Sequence, residues 1–163
     1  MSFTPELLQQ AAEFLAAARA GGLKIATAES CTGGLIAGLL TEIPGSSDVF
    51  ERGFVTYSNR AKEEMLGVPA ALLRQHGAVS EPVARAMAEG AIRNSTAHLS
   101  IAVTGIAGPG GGTEEKPVGL VHIAAARAGT ATAARICRFG DIGRDRVRLK
   151  TVEAALALLK TTL

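Results

Sequence analysis

The chain reads as an α/β protein, a three-layer α/β/α sandwich with a mixed, mostly parallel central sheet, and three observations carry that expectation. Helix and strand signals alternate along all 163 residues with no linker between them. The strand segments, Leu99 to Thr104 most clearly, are continuous apolar runs, as expected where both faces of a sheet are covered. The apolar fraction is 47% while aromatics make up only 4%, so the core is built from Ala, Val, Leu and Ile, a palette suited to helices packed on a sheet. A chain of this size buries about 70% of its unfolded surface on folding, and residues 1–163 are expected to form a single domain.

Each element has its own signal. Thr4, Pro5 and Glu6 place a cap, a preset φ and an acidic first turn in sequence, so a helix starts there; Leu7, Leu8, Ala11, Phe14, Leu15 and Ala18 mark its apolar face and Gly21-Gly22 its end. Leu23 to Ala28 is a short buried strand, and Leu35 to Leu40 an apolar helix face. Ile43-Pro44-Gly45-Ser46-Ser47 breaks the chain before a second strand over Phe50 to Tyr57. Short helices come next, one through Met65 and one over Pro69 to His76, and Ser80-Glu81-Pro82 opens a longer one reaching about Asn94. After the Leu99 to Thr104 strand, the stretch from Thr104 to Gly119 is irregular and rich in Gly and Pro. Val118 to Arg127 and Thr132 to Phe139 then read as an antiparallel hairpin turning at Gly129. A last helix begins near Gly143, with Leu149, Val152, Leu156, Leu159 and Leu163 as its expected buried face.

Composition narrows the partners. A net charge of +2 and few aromatics give neither an electrostatic footprint nor a stacking platform for nucleic acid. No apolar run reaches membrane-spanning length and the first fifteen residues lack a basic leader, so a cytoplasmic protein is expected. Cys31 and Cys137 are far apart and belong to no CxxC pair, which fits reduced thiols. His76, His98 and His122 are isolated, with no metal-ligand spacing, so no metal is expected.

In Ala26-Thr27-Ala28-Glu29-Ser30-Cys31-Thr32-Gly33-Gly34 a hydroxyl and a thiol stand where a strand turns into a helix. An activated nucleophile sits in such a place, and backbone N–H groups at Gly33 and Gly34 would meet an anion or an acyl-transfer oxyanion. Ser30 or Thr32 as a simple helix cap is the competing reading. In Tyr57-Ser58-Asn59-Arg60-Ala61-Lys62, Ser58 or Asn59 caps the next helix and puts Lys62 in its first turn, against the helix dipole. That dipole supplies about 0.3–1 kcal/mol, whereas neutralising an ordinary lysine at pH 7 costs about 4–5 kcal/mol. Only burial makes up the difference, by up to about 3–5 pKa units. Tyr57, the sole tyrosine, is either a strand residue with a wet hydroxyl or a proton relay. The Thr104-Gly105-Ile106-Ala107-Gly108-Pro109-Gly110-Gly111-Gly112-Thr113 stretch matches neither a P-loop nor a dinucleotide fingerprint, which leaves an anion nest, a lid or a plain connection. Arg144 and Arg148, at i and i+4, give that loop a cationic neighbour.

Together these segments resemble a known family. Ala28-Glu29-Ser30-Cys31-Thr32-Gly33-Gly34, Gly45-Ser46-Ser47, Phe50 to Asn59 with Lys62, His76 to Ser80, Thr104 to Pro109 and Lys116-Pro117-Val118-Gly119 occur in the order of the C-terminal domain of the competence and damage-inducible CinA proteins. Larger members carry a further N-terminal domain, and this chain is expected to be the stand-alone form. The resemblance implies hydrolysis of the carboxamide of nicotinamide mononucleotide to nicotinic acid mononucleotide and ammonia, without metal or cofactor, by a homo-oligomer acting on a small-molecule nucleotide. It implies Ser30 as nucleophile, Lys62 as base and Tyr57 as relay, with substrate held by Thr32, Gly33, Gly34, Ser47, Thr104, Gly105, Gly108 and Arg144. A Cys31 nucleophile, or a binding module without catalysis, are the alternatives.

Overall fold

The computed structural model describes residues 2–163. Its elements come in the order α1 (Pro5–Ala20), β1 (Ile25–Glu29), α2 (Leu35–Thr41), β2 (Phe50–Val55), α3 (Asn59–Leu66), α4 (Ala70–His76), α5 (Glu81–Arg93), β3 (Leu99–Gly105), β4 (Leu120–Arg127), β5 (Ala133–Arg138) and α6 (Arg144–Lys160), with a single 3-10 turn at Ser46–Asp48 before β2. Thr4 caps α1 by accepting from the Leu7 amide, and Pro5 stands directly after it, as the local sequence requires.

The strands form one sheet in the order β2-β1-β3-β4-β5. β2, β1 and β3 run parallel, and β3-β4 and β4-β5 pair antiparallel, so β4 alone runs against the rest. Helices α1, α2 and α6 cover one face, and α3, α4 and α5 the other. Alternation along the strands divides the core between them. Ile25, Leu99, Ile101, Val103, Val121 and Ile123 meet the α1/α2/α6 layer. Ala26, Ala28, Ala102, Ala124 and Ala126 meet α5, and these small side chains let that helix lie close on the sheet, where Ser100 Oγ reaches the Ala88 carbonyl at 2.7 Å. Gly90 extends the same closeness to α3. A Cβ there would stand 2.1 Å from the Leu66 carbonyl oxygen, so glycine is what allows α5 to back the end of α3.

The last helix departs from the leucine pattern. Val147, Thr151, Val152, Ala155, Leu156, Leu158 and Leu159 form its buried face, Leu149 is only half-buried, and Leu163 lies beyond the helix, 44% exposed. Thr151 enters the core because its hydroxyl bonds the Val147 carbonyl at 2.7 Å, which hides its polarity inside the helix. Among the described residues no helix is long and apolar enough to cross a membrane. The C-terminal ends of β1, β2 and β3 open together on one edge of the sandwich, where the connecting loops diverge.

Candidate active site

Glu29 ends β1 with no exposed surface, and its carboxylate organises the turn between β1 and α2. Oε2 accepts from the Thr32 hydroxyl at 2.6 Å and from the amides of Gly34 and Ile36 at 3.1 and 3.0 Å, while Oε1 accepts from the Ala37 amide at 2.8 Å. A buried anion thus caps α2 from the preceding strand, in the place where a helix start leaves its donors unpaired. Gly33 and Gly34 make the intervening turn possible, with φ of 58° and 101°, a region that side-chain-bearing residues rarely adopt. The turn holds Ser30 at the end of β1, its own amide bonded to the Val103 carbonyl at 3.1 Å.

Lys62 comes to Ser30 from α3. Ser58 caps that helix through the Ala61 amide, which places Lys62 in its first turn. Its Nζ lies 3.1 Å from Ser30 Oγ and donates to the Thr56 carbonyl at 2.8 Å. The side chain is 1% exposed, and burial lowers its pKa from the ordinary lysine value. Among the described residues it has no carboxylate partner that would hold it charged. The geometry is that of a hydroxyl nucleophile with a desolvated amine in hydrogen-bond reach.

A cavity of about 220 Å³ opens on this pair, lined by Ser30, Cys31, Lys62, Thr104, Gly105 and Ala107, and by Tyr57, Asn59 and Arg144 among others. Arg144, the first residue of α6, donates to the Gly108 carbonyl at 2.8 Å and to the Tyr57 hydroxyl at 2.7 Å. Both acceptors are neutral, and among the described residues Arg144 makes no ion pair, so its charge at the mouth is uncompensated. Thr104 donates its hydroxyl to the Ala78 carbonyl at 2.9 Å, which ties the loop before α5 to the wall of the cavity.

Several expected roles change once the residues are in place. Tyr57 does not stand between Ser30 and Lys62; those two meet directly, and the phenol, 59% exposed, bonds Arg144 instead. Thr32, Gly33 and Gly34 lie outside the cavity lining, because the Thr32 hydroxyl and the Gly34 amide serve Glu29 and the Gly33 amide bonds the Ser30 carbonyl at 3.0 Å. Neither Ser30 nor Thr32 caps α2; Gly34 occupies that position and Glu29 supplies the acceptor. Ser47 sits in the 3-10 turn that leads into β2, at the opposite end of the parallel strands, roughly 15 Å of strand away from Ser30. One chain therefore does not bring Ser47 to this cavity. Thr104, Gly105 and Arg144 do line it, and the Gly108 carbonyl holds Arg144. The Cys31 thiol is 6% exposed, and burial pushes its pKa up to about 12, so the thiolate that an attacking cysteine needs is suppressed.

Two residues that organise the turn escape a reading of the local sequence. Glu29 sits in an apolar strand as an acid with no local reason, and that anomaly is its only signal. Arg148 donates from Nε to the Cys31 carbonyl at 3.1 Å and from Nη2 to the Thr32 carbonyl at 2.9 Å; its i, i+4 relation to Arg144 signals a shared direction but not this target. The histidines do not gather here, and His98 accepts from the Lys24 amide at the other end of the sheet. A second cleft of about 290 Å³ lies between α5 and the β4-β5 turn, with no lysine, histidine or cysteine in its lining.

Residues 8–163 match the CinA C-terminal domain family. The chain is 58% identical over 145 residues to a CinA-like protein of Anaeromyxobacter dehalogenans strain 2CP-1, covering 88% of this chain and 35% of that protein. It is 52% identical over 164 residues to a putative competence-damage inducible protein of Symbiobacterium thermophilum, covering 95% and 38%. The chain thus spans about a third of the length of these relatives. Among solved structures it resembles the competence/damage inducible protein CihA from Agrobacterium tumefaciens, with a TM-score of 0.95 and 52% identity over 99% of this chain and 98% of that one. A CinA superfamily protein from Escherichia coli gives a TM-score of 0.92 at 33% identity over 100% and 95%. The fold agrees with these likenesses, and the chain belongs to the CinA C-terminal domain family.

Proposed function

We propose that this protein hydrolyses the carboxamide of nicotinamide mononucleotide, releasing ammonia and nicotinic acid mononucleotide, with Ser30 as nucleophile and Lys62 as base. The observation that carries the reading is the buried Lys62 Nζ, 3.1 Å from the Ser30 hydroxyl. A neutral Lys62 takes the hydroxyl proton as Oγ bonds to the carboxamide carbon. The carbonyl oxygen becomes an oxyanion, and the lysine ammonium then gives its proton to the departing nitrogen, which leaves as ammonia. Water, deprotonated by the same amine, attacks the Ser30 ester and frees the carboxylate product, restoring the hydroxyl.

The oxyanion needs donors, and the unpaired amides of the turn support one choice. From Ser30 to Ala37, the amides of Ser30, Gly33, Gly34, Leu35, Ile36 and Ala37 all have acceptors. Those of Cys31 and Thr32 alone have no acceptor outside their own residue among the described residues. The free donors thus come directly after the nucleophile, in place of the Gly33 and Gly34 amides suggested by sequence; Cys31 lines the cavity and Thr32 follows it in the turn. The phosphate falls to Arg144, whose present partners are neutral and replaceable. A cavity of about 220 Å³ encloses only part of a nucleotide, so the pyridine end enters it and the phosphate stays at the mouth.

The test is ammonia release from the mononucleotide, compared with the riboside and free nicotinamide, for wild type and Ser30→Ala. Turnover is expected for the mononucleotide above all, falling by about 10⁴-fold or more without the hydroxyl. Tight binding of the nucleotide with no ammonia over long incubation would assign the chain a binding role instead.

A further inference from the structure

Arg148 lies outside the cavity, touches no carboxylate among the described residues, and donates both of its hydrogen bonds to the turn that carries the nucleophile. Through the peptide units those bonds continue as two chains. In the first, Nε bonds the Cys31 carbonyl at 3.1 Å, and that peptide unit ends in the unpaired Thr32 amide. In the second, Nη2 bonds the Thr32 carbonyl at 2.9 Å; the same peptide carries the Gly33 amide, which bonds the Ser30 carbonyl at 3.0 Å, and that peptide ends in the unpaired Cys31 amide. Both chains start on one guanidinium and finish on the two free donors beside Ser30.

We infer that Arg148 is a positioning residue for catalysis, fixing and polarising the Cys31 and Thr32 amides as the receptor of the developing oxyanion. A hydrogen bond to a peptide carbonyl strengthens the donor at the other end of that peptide, and a charged donor does so more than a neutral one. The planar fork also fixes the angle between the two carbonyls, which a single ammonium does not. The amides of Gly34, Ile36 and Ala37 belong to Glu29, and from α2 only the Leu35 amide joins this network, sharing the Thr32 carbonyl at 3.3 Å. Arg144 stands one helical turn earlier on α6, so a single segment sets both the mouth and the nucleophile turn. The inference rests on the serine-lysine reading of the site.

The experiment compares wild type, Arg148→Lys and Arg148→Met in two assays. With nicotinamide mononucleotide, kcat is expected to fall about tenfold to a hundredfold in Arg148→Met, less than deletion of an oxyanion donor, while KM changes by less than about threefold; Arg148→Lys recovers part of the loss. The second assay is the rate at which a small fluorophosphonate labels Ser30, since its phosphoryl oxygen occupies the oxyanion position whatever the natural substrate is. That rate is expected to fall in parallel with kcat. Unchanged labelling in a folded variant, or a loss expressed in KM alone, overturns the role of Arg148. If Arg148→Met does not fold, Arg148→Lys decides: wild-type kcat and labelling with the fork removed overturn it equally. Wild-type labelling at Ser30 without ammonia from the mononucleotide sinks the assigned substrate and leaves the Arg148 result standing; no labelling at all sinks the serine-lysine reading itself.

Discussion

The Ser30 turn and the cavity mouth are built on opposite rules. Around Ser30, polar groups are buried and bonded inward: Glu29 holds four donors, Arg148 holds two carbonyls, and Lys62 is only 1% exposed. At the mouth, Tyr57 and Arg144 are exposed and hold each other through contacts that a ligand can replace. On the proposed reading, the difference separates chemistry from recognition. Groups whose protonation matters are set by packing before substrate arrives, whereas groups that read the substrate's charge remain in water until it does.

The sharpest way to break that contrast is Lys62→Met. Loss of a general base removes about 10²–10⁴-fold in kcat, and the limb of the pH-rate profile that rises with pH below the ordinary lysine value of 10.5 is expected to vanish with it. Stability is expected to move the other way. Because the folded-state pKa is lowered, the unfolded chain holds more protons on this amine between the folded value and 10.5, so wild-type stability falls as pH drops through that window and then levels. Urea unfolding of Lys62→Met across that range is expected to show an advantage over wild type that grows as pH falls. A variant less stable at every pH would mean that the Thr56 and Ser30 contacts outweigh the desolvation of Lys62.

Arg144→Met tests the other region. A charge-assisted contact to phosphate contributes about 1.5–3 kcal/mol, so KM is expected to rise roughly tenfold to a hundredfold with kcat largely kept, and the preference for the mononucleotide over the riboside is expected to shrink. A fall in kcat with constant KM would show that the mouth takes part in the chemistry. Tyr57→Phe removes only the hydroxyl that Arg144 holds, and less than about a fivefold change in KM is expected from one exposed neutral bond. A loss of kcat matching that of Lys62→Met would restore the relay role. The smallest effect belongs to Cys31. Its suppressed thiolate predicts full activity after prolonged treatment with iodoacetamide at pH 7, with mass spectrometry showing Cys31 unmodified.

Much of the fold was legible because its signals are local. Thr4-Pro5-Glu6 opens α1, Ser58 caps α3, and Gly129 turns the last hairpin, each within a few residues of where the chain needs it. The leucine stripe on α6 misled at Leu149 and Leu163, since which face of a helix is buried depends on the layer it meets. At the site, Ser30 and Lys62 were visible as residue types in suggestive places. Glu29 was not, because a carboxylate accepting from amides up to eight residues later is recognised only once the turn is folded.

From the sequence alone come the order of elements, the strand-to-helix turn that carries Ser30, and the first-turn position of Lys62 against its helix dipole. These depend on near neighbours. Tertiary structure decided that Lys62 is desolvated, that it meets Ser30 without Tyr57, that Glu29 and Arg148 organise the turn, and that Ser47 lies elsewhere. Those outcomes rest on partners as much as 117 residues apart, and on burial, which is a property of the packed layers and not of any segment within them.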